Sequence, residues 1–202
     1  KNMVGLIRQP AFILYDHSFL TTLPSYQWEN GFAEIIKHAA IKDAKMMKEL
    51  NENNLAFYQK NKKALQLLIE KNVQIKVKVV QKDEFEKGDR KLLNFGHTIG
   101  HAIENEHALL HGHAISIGMV YAAKISQVLL GFTDTGVIIE TLKKYGLPIS
   151  MRFDITHAMA VMQKDKKKAA QGMQYVLLNK LGNAVYETVP MKSLEKLIKL
   201  YS

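Results

Sequence analysis

The stretch Arg90-Lys-Leu-Leu-Asn-Phe-Gly-His97-Thr-Ile-Gly-His101-Ala-Ile-Glu104 leaves few options for how its residues can be arranged. Wound as a helix at about 100° per residue, it puts Arg90, Asn94, His97 and His101 within roughly 60° of one another, and Leu92, Phe95, Ile99 and Ile103 on the opposite side. The apolar side has to pack against other elements. The polar side gathers two imidazoles, an amide and a guanidinium while Lys and Glu stay at its margins. A merely solvated face seldom has that make-up, so the pattern points to a metal or an anionic ligand. Gly96 and Gly100 fall inside the same pattern. Each costs a helix interior about 1 kcal/mol relative to Ala, which implies close approach by another helix or by a ligand.

The chain has 202 residues, 47% of them hydrophobic, enough for a sizeable core and for one domain. It contains no cysteine, so disulfides and thiolate metal sites are excluded and any zinc must be held by His, Asp or Glu. The eight histidines are therefore the place to search. The absence of cysteine also fits a cytoplasmic protein. No apolar stretch is expected to approach the roughly 18 residues that span a bilayer, and the opening Lys1-Asn2-Met3-Val4-Gly5 has the character of neither a signal nor a transit peptide. It reads like the middle of a protein. The net charge of +9 is compatible with nucleic acid, an acidic partner or a small anionic substrate. Lys60, Lys62, Lys63, Lys196 and Lys199 have the spacing of solvated helix faces, and no zinc-finger, RNA-binding or helix-turn-helix signature is present. The expectation is an anionic metabolite, with neither nucleic acid nor a membrane as partner.

Helical periodicity dominates. The first long helix is predicted from about Ser25, read as its N-cap, to about Asp43, and others near 44–51, 54–59, 62–84, 91–106, 113–130, 135–145, 155–164 and 192–201. Ala11–Tyr15 reads as a strand edge or extended segment, and residues 1–24 as a linking segment. From Met173 to Val189, two β-branched and aromatic runs around Leu181-Gly182-Asn183 predict a hairpin. Lys164 to Gly172 reads as a polar loop. The fold class is mainly α: a multi-helical domain, 1–202, with a small β-hairpin.

A second constellation lies in Gly31-Phe32-Ala33-Glu34-Ile35-Ile36-Lys37-His38. Glu34 and Lys37 are three apart and share a face, as an ordinary ion pair would. Phe32, Ile35 and Ile36, however, put this helix in the interior, where a lone carboxylate is costly unless it meets a cation. Glu34, His97 and His111 together would form a site of two imidazoles and one carboxylate with a position left open, the ligand set of catalytic zinc. His97 and His101 have the i, i+4 spacing of paired ligands, so His101 is an equal candidate, and spacing does not decide between them. His113 is placed to support the site from behind. His17, His38, His107 and His157 read as surface or satisfied core histidines.

The residues Gly31-x-Ala-Glu34-x-x-Lys37, then Lys76 through Asp83-Glu84-x-Glu86-x-Gly88-x-Arg90-x-Leu-Leu-Asn94-x-Gly-His97-Thr-x-Gly-His101-Ala-x-Glu104, then His111-Gly and Asp165-Lys-Lys, resemble the C-terminal half of the 3-dehydroquinate synthase family. The resemblance runs from Lys1 to about Leu178, with several separated motifs in the right order. Lys1-Asn2-Met3-Val4-Gly5 and Phe19-Leu20-Thr21-Thr22-Leu23-Pro24 resemble the family's segments near the nucleotide. The resemblance implies zinc or cobalt ligands at Glu34, His97 and His111, and proton transfer by His101. It implies substrate contacts from Lys37, Lys76, Arg90, Asn94, Lys166 or Lys167, Lys1 and Asn2, and cofactor contacts from Lys1, Phe19, Leu20, Thr21 and Thr22.

The family's reaction turns 3-deoxy-D-arabino-heptulosonate 7-phosphate into 3-dehydroquinate and phosphate in the shikimate pathway of aromatic amino acid biosynthesis, a lyase chemistry with transient oxidation by NAD. A nucleotide-binding domain would precede Lys1 and is the expected partner, since no dinucleotide fingerprint lies within the chain. The isolated chain is accordingly expected to have no turnover. A homodimer is the further expected assembly. Two departures stand out: His111-Gly112-His113 replaces the usual His-Gly-Glu, and the segment between His101 and His111 is short. The alternatives are a related sugar-phosphate cyclase, a metal-dependent alcohol dehydrogenase domain, or a noncatalytic zinc-binding or assembly module.

Overall fold

A computed structural model describes residues 9–165 and 172–201. Among these, the helices are α1 (Ser25–Lys42), α2 (Ala44–Glu52), α3 (Leu55–Lys60), α4 (Lys62–Lys82), α5 (His97–His107), α6 (His111–Leu130), α7 (Thr135–Lys144), α8 (Ile155–Asp165) and α9 (Met191–Tyr201). The strands β1 (Met173–Lys180) and β2 (Asn183–Val189) form an antiparallel pair, with Met173 opposite Val189 and a register shift between Leu178 and Lys180. Short 3-10 helices occupy His17–Thr22 and Asp89–Asn94. The mainly helical fold with one hairpin is therefore as the periodicity implies.

Local chemistry sets many of the boundaries. The side chains of Asp43, Asn54 and Asn61 each accept a backbone N–H from the first turn of the helix that follows, capping α2, α3 and α4 in succession. Ser25 is not the cap of α1. Pro24 takes the capping position without a side-chain bond, its fixed φ setting the extended entry. Ala11–Tyr15 forms no strand, and Phe12 and Leu14 are among its exposed residues.

The helix predicted over 91–106 is broken. Arg90 and Asn94 lie in the 3-10 helix, and the chain turns through Phe95 and Gly96 before α5 begins at His97. Gly96 has φ 78°, left-handed backbone that a side chain would strain, and its carbonyl lies against Gly118 of α6. The apolar assignment survives the break, since Leu92, Phe95, Ile99 and Ile103 are all buried. Gly96 and Gly100 do mark close approach: a Cβ on Gly100 would lie 2.8 Å from Ile115 Cδ1 and 3.0 Å from the Ala114 carbonyl.

α6 is the central element, touching α1, α5, α7, α9 and β1. It is long and apolar enough to cross a membrane by length and composition, which corrects the expectation that no stretch approaches that limit. Most of it is buried by its neighbours, as a core helix would be. Ser126 on α6 accepts the Leu178 N–H at 2.9 Å and donates to the Ala122 carbonyl, tying β1 to the helix. The hairpin turn docks at the α1–α2 junction, where Gly182 N donates to the Ala40 carbonyl at 2.8 Å. Side chains such as Ile36, Ile99, Ile115 and Leu177 meet in this core, each burial worth about 1.5–3 kcal/mol. The result is a frame in which α6 packs against both α1 and α5.

Candidate metal centre

Three helices contribute the polar cluster. Glu34 comes from α1, His97 and His101 from successive turns of α5, and His111 from the first turn of α6. Glu34 Oε1 lies 3.6 Å from His97 Nε2 and 3.6 Å from His111 Nε2. For a tetrahedral zinc with bonds near 2.1 Å, neighbouring ligand atoms should be about 3.4 Å apart. His101 completes the group, since ligand nitrogens of His97, His101 and His111 lie within 4.8 Å of one another. The ring of His101 is 5.1 Å from that of His97 and 5.8 Å from that of His111.

Each ligand candidate is held from behind. His97 Nδ1 donates to the Phe95 carbonyl at 3.1 Å, and His111 Nδ1 donates to both oxygens of Glu104 at 3.2 Å. Those bonds fix the tautomers that leave both Nε2 lone pairs turned toward Glu34. The carboxylate is divided in the same way. Oε2 accepts a 2.6 Å bond from the buried Lys37 ammonium, whereas Oε1 is buried without a hydrogen-bond partner. Two imidazole lone pairs and an orphaned carboxylate oxygen facing one another repel unless a cation sits among them. The donor set therefore fits a divalent metal ion.

Without a metal ion, the same neighbours shift the protonation equilibria of the cluster in different directions. Burial alone would raise the Glu34 carboxyl, but the His111 imidazole 3.6 Å away and the positive Lys37 outweigh it and hold the group well below the usual carboxylate range. His97 is pushed down to about 3 by burial, with the Lys37 charge adding to the effect. His111 moves up, because the Glu34 carboxylate and then Glu104 favour its charged form against the opposing effect of burial. Burial lowers Lys37 as well, and Glu34 opposes that loss.

The other sequence-selected residues fall into three groups. Lys76 on α4 stands close enough to Lys37 and His38 to act on both electrostatically. Together with Arg90 it lines a cavity of about 780 Å³. Arg90 is not on the helix of the histidines, as the periodicity had placed it. It is set by a loop in which the Asp83 carboxylate accepts the N–H groups of Lys87, Gly88 and Arg90 at 2.7–3.0 Å. Arg90 Nη1 donates to the Glu84 carbonyl, and Asn94 Nδ2 donates to Glu86 Oε1 at 2.8 Å. Phe19, Leu20, Thr21 and Thr22 lie in the first 3-10 helix, with Phe19 exposed and Leu20 lining an apolar cavity of about 550 Å³ beside Trp28. Lys1, Asn2, Lys166 and Lys167 lie outside the described residues.

His113 does not support the cluster. Two residues beyond His111 on a helix, it points elsewhere, with Nε2 3.8 Å from Glu29 of α1. Glu104 supports His111 instead, a role the sequence reading did not give it. Its spacing carried the signal: seven residues after His97 and three after His101, it shares their face of α5.

Residues 31–168 match the 3-dehydroquinate synthase C-terminal family. Among curated relatives, the 3-dehydroquinate synthase of Halalkalibacterium halodurans is 35% identical over 99% of this chain and 57% of its own length. That of Bacillus pumilus is 39% identical over 93% of this chain and 53% of its own length. The chain thus spans about half the length of the curated relatives it matches. A solved 2-deoxy-scyllo-inosose synthase, complexed with carbaglucose-6-phosphate, NAD+ and Co2+, is 26% identical with a TM-score of 0.81, covering 99% of this chain and 58% of that one. The 2-epi-5-epi-valiolone synthase of Streptomyces hygroscopicus, with NAD+ and Zn2+ bound, shares the fold at a TM-score of 0.84 and 24% identity, over 99% of this chain and 58% of that one. Matched over residues 31–168, more than half of its length, this chain belongs to the 3-dehydroquinate synthase C-terminal family.

Proposed function

We propose that this chain is the metal- and substrate-binding half of a 3-dehydroquinate synthase, forming 3-dehydroquinate and phosphate from 3-deoxy-D-arabino-heptulosonate 7-phosphate with zinc and NAD. The observation that carries the reading is the convergence of Glu34 Oε1 on two Nε2 atoms, each 3.6 Å away. Glu34, His97 and His111 would hold the ion, which when bound supplies a Lewis acid for a substrate hydroxyl or ketone oxygen. Lys37 neutralises the outer oxygen of Glu34 and keeps Oε1 aimed at the histidines. His101, beside both imidazoles but on the far turn of α5, is the group to take and return a proton. Lys76 and Arg90, sharing one cavity, suit the phosphate or carboxylate of an acidic sugar. NAD would be bound mainly by a nucleotide-binding domain of the same protein.

The test is metal stoichiometry together with turnover. The chain is expected to bind one zinc per molecule, to lose it in Glu34→Ala or His97→Ala, and to give no steady product alone. The complete protein, with its nucleotide-binding half, is expected to release phosphate from the heptulosonate phosphate only with zinc and NAD. Failure to bind stoichiometric zinc, or a Glu34→Ala enzyme that keeps both metal and rate, overturns the proposal. The similarity to 2-deoxy-scyllo-inosose synthase favours one second reading, another sugar-phosphate cyclase. Substrate profiling of the complete protein separates the two.

A further inference from the structure

We infer that Asn30 is a positioning residue of the metal centre, setting the place of His111 by capping α6 from a different helix. The inference rests on the reading of Glu34, His97 and His111 as metal ligands. α6 starts at His111 with Leu110 in the capping position, and Leu110 has no side chain able to accept a hydrogen bond. The first-turn N–H groups of such a helix need an acceptor from elsewhere. The Gly112 N–H finds one in Asn30 Oδ1 on α1, 82 positions away in the chain. The other end of the carboxamide donates to Gln27 Oε1 at 3.3 Å, which orients the oxygen toward α6.

Asn30 stands one helical turn before Glu34 on the same face of α1, and Gly112 follows His111 directly. A single hydrogen bond therefore fixes α1 against α6 within one turn of where the carboxylate meets the imidazole. The two helices also approach closely at this point. A Cβ on Gly112 would lie 2.3 Å from the Asn30 carbonyl oxygen and 2.7 Å from Oδ1, so this approach excludes any side chain at 112. Glu104 fixes the rotation of the His111 ring but does not bond the backbone of the first turn of α6. Asn30 restrains that turn locally, at the residue next to His111.

The experiment compares Asn30→Leu, Asn30→Ala and Asn30→Asp with the unaltered chain, using zinc affinity by chelator competition and the visible absorption of the Co2+ form. Circular dichroism establishes that each variant is folded. Asn30→Leu and Asn30→Ala are expected to bind zinc 10- to 100-fold more weakly, the range for losing a support behind a metal ligand. Their cobalt bands should shift or weaken. Asn30→Asp keeps the acceptor and is expected to restore affinity and spectrum, since a carboxylate is also favourable at a helix N-terminus. Asn30→Ala creates no overpacking and serves where Asn30→Leu does not fold. Unchanged affinity and an unchanged cobalt spectrum in a folded Asn30→Ala variant overturn the inference, as does an Asn30→Asp variant no better than Asn30→Ala. If the unaltered chain binds no zinc, the metal reading itself has failed.

Discussion

Replacing Gly118 by Ala tests whether the glycine contact between α5 and α6 sets the geometry of the metal cluster. A Cβ at 118 would lie 1.9 Å from the Gly96 carbonyl oxygen and 2.9 Å from Gly100 N. Real Cβ contacts stay above 3.0 Å, so the two backbones must separate by at least about 1.1 Å. The obstacle is a carbonyl rather than a flexible side chain, so no rotamer change relieves it. Overpacking of this kind costs about 1–3 kcal/mol, and a rigid obstacle belongs at the upper end. The helix propensity of Ala over Gly gives back about 1 kcal/mol, leaving a net loss of about 2 kcal/mol. The functional effect follows from direction. The displaced strand of backbone leads directly into His97, whose Nε2 is 3.6 Å from Glu34 Oε1, while metal–ligand distances tolerate only about 0.2 Å. Zinc affinity is therefore expected to fall at least about tenfold. Urea denaturation of the metal-free chain and chelator competition for zinc measure the two effects. Gly136→Ala on α7, where a Cβ meets nothing within 4 Å, is the control and should be neutral or slightly stabilising. A Gly118→Ala variant as stable as that control, with zinc affinity unaltered, refutes the argument.

Two further outcomes can be checked with the same assays. His38 is buried on α1 with Nδ1 2.9 Å from Asn72 Oδ1, and burial, helped by the Lys37 charge, depresses it to about 4. An unfolded histidine titrates near 6.5, so between about 6.5 and 4 the unfolded chain binds the extra proton and stability falls as pH falls. The full effect is about 3 kcal/mol, of which about 2 kcal/mol falls between pH 7 and pH 4.5, and the difference in urea stability between those two values should shrink by about 2 kcal/mol in His38→Gln; an undiminished difference excludes His38 as its source. Glu104→Ala removes the partner of His111 Nδ1 and is expected to weaken zinc binding 10- to 100-fold. Glu29→Ala, beside His113, should change it by less than about threefold, and equal effects would contradict the assignment of Glu104 as the supporting carboxylate.

What sequence periodicity could and could not reveal divides at the contacts between helices. The apolar positions Leu92, Phe95, Ile99 and Ile103 are buried as their spacing implies, because burial follows the local period of the chain. The break at Gly96 has no such local trace. A glycine inside a helical pattern reads as a packing site, and only its contact with Gly118, 22 positions later, shows that the backbone also turns there. The start of α6 was hidden for the same reason. Leu110 is a poor cap by local rules, which moves the predicted start to residue 113, whereas the acceptor that sustains the first turn comes from Asn30 on another helix. The ligand candidates were legible because catalytic zinc needs particular side chains and the chain has no cysteine to supply them. Their supports were harder to see. His113 is near His111 in sequence but lies by Glu29, whereas the helical period puts Glu104 on the face of His97 and His101. The same period separates the two supporting candidates, for two positions along a helix turn the His113 side chain by about 200° from His111, whereas seven bring Glu104 back within about 20° of His97.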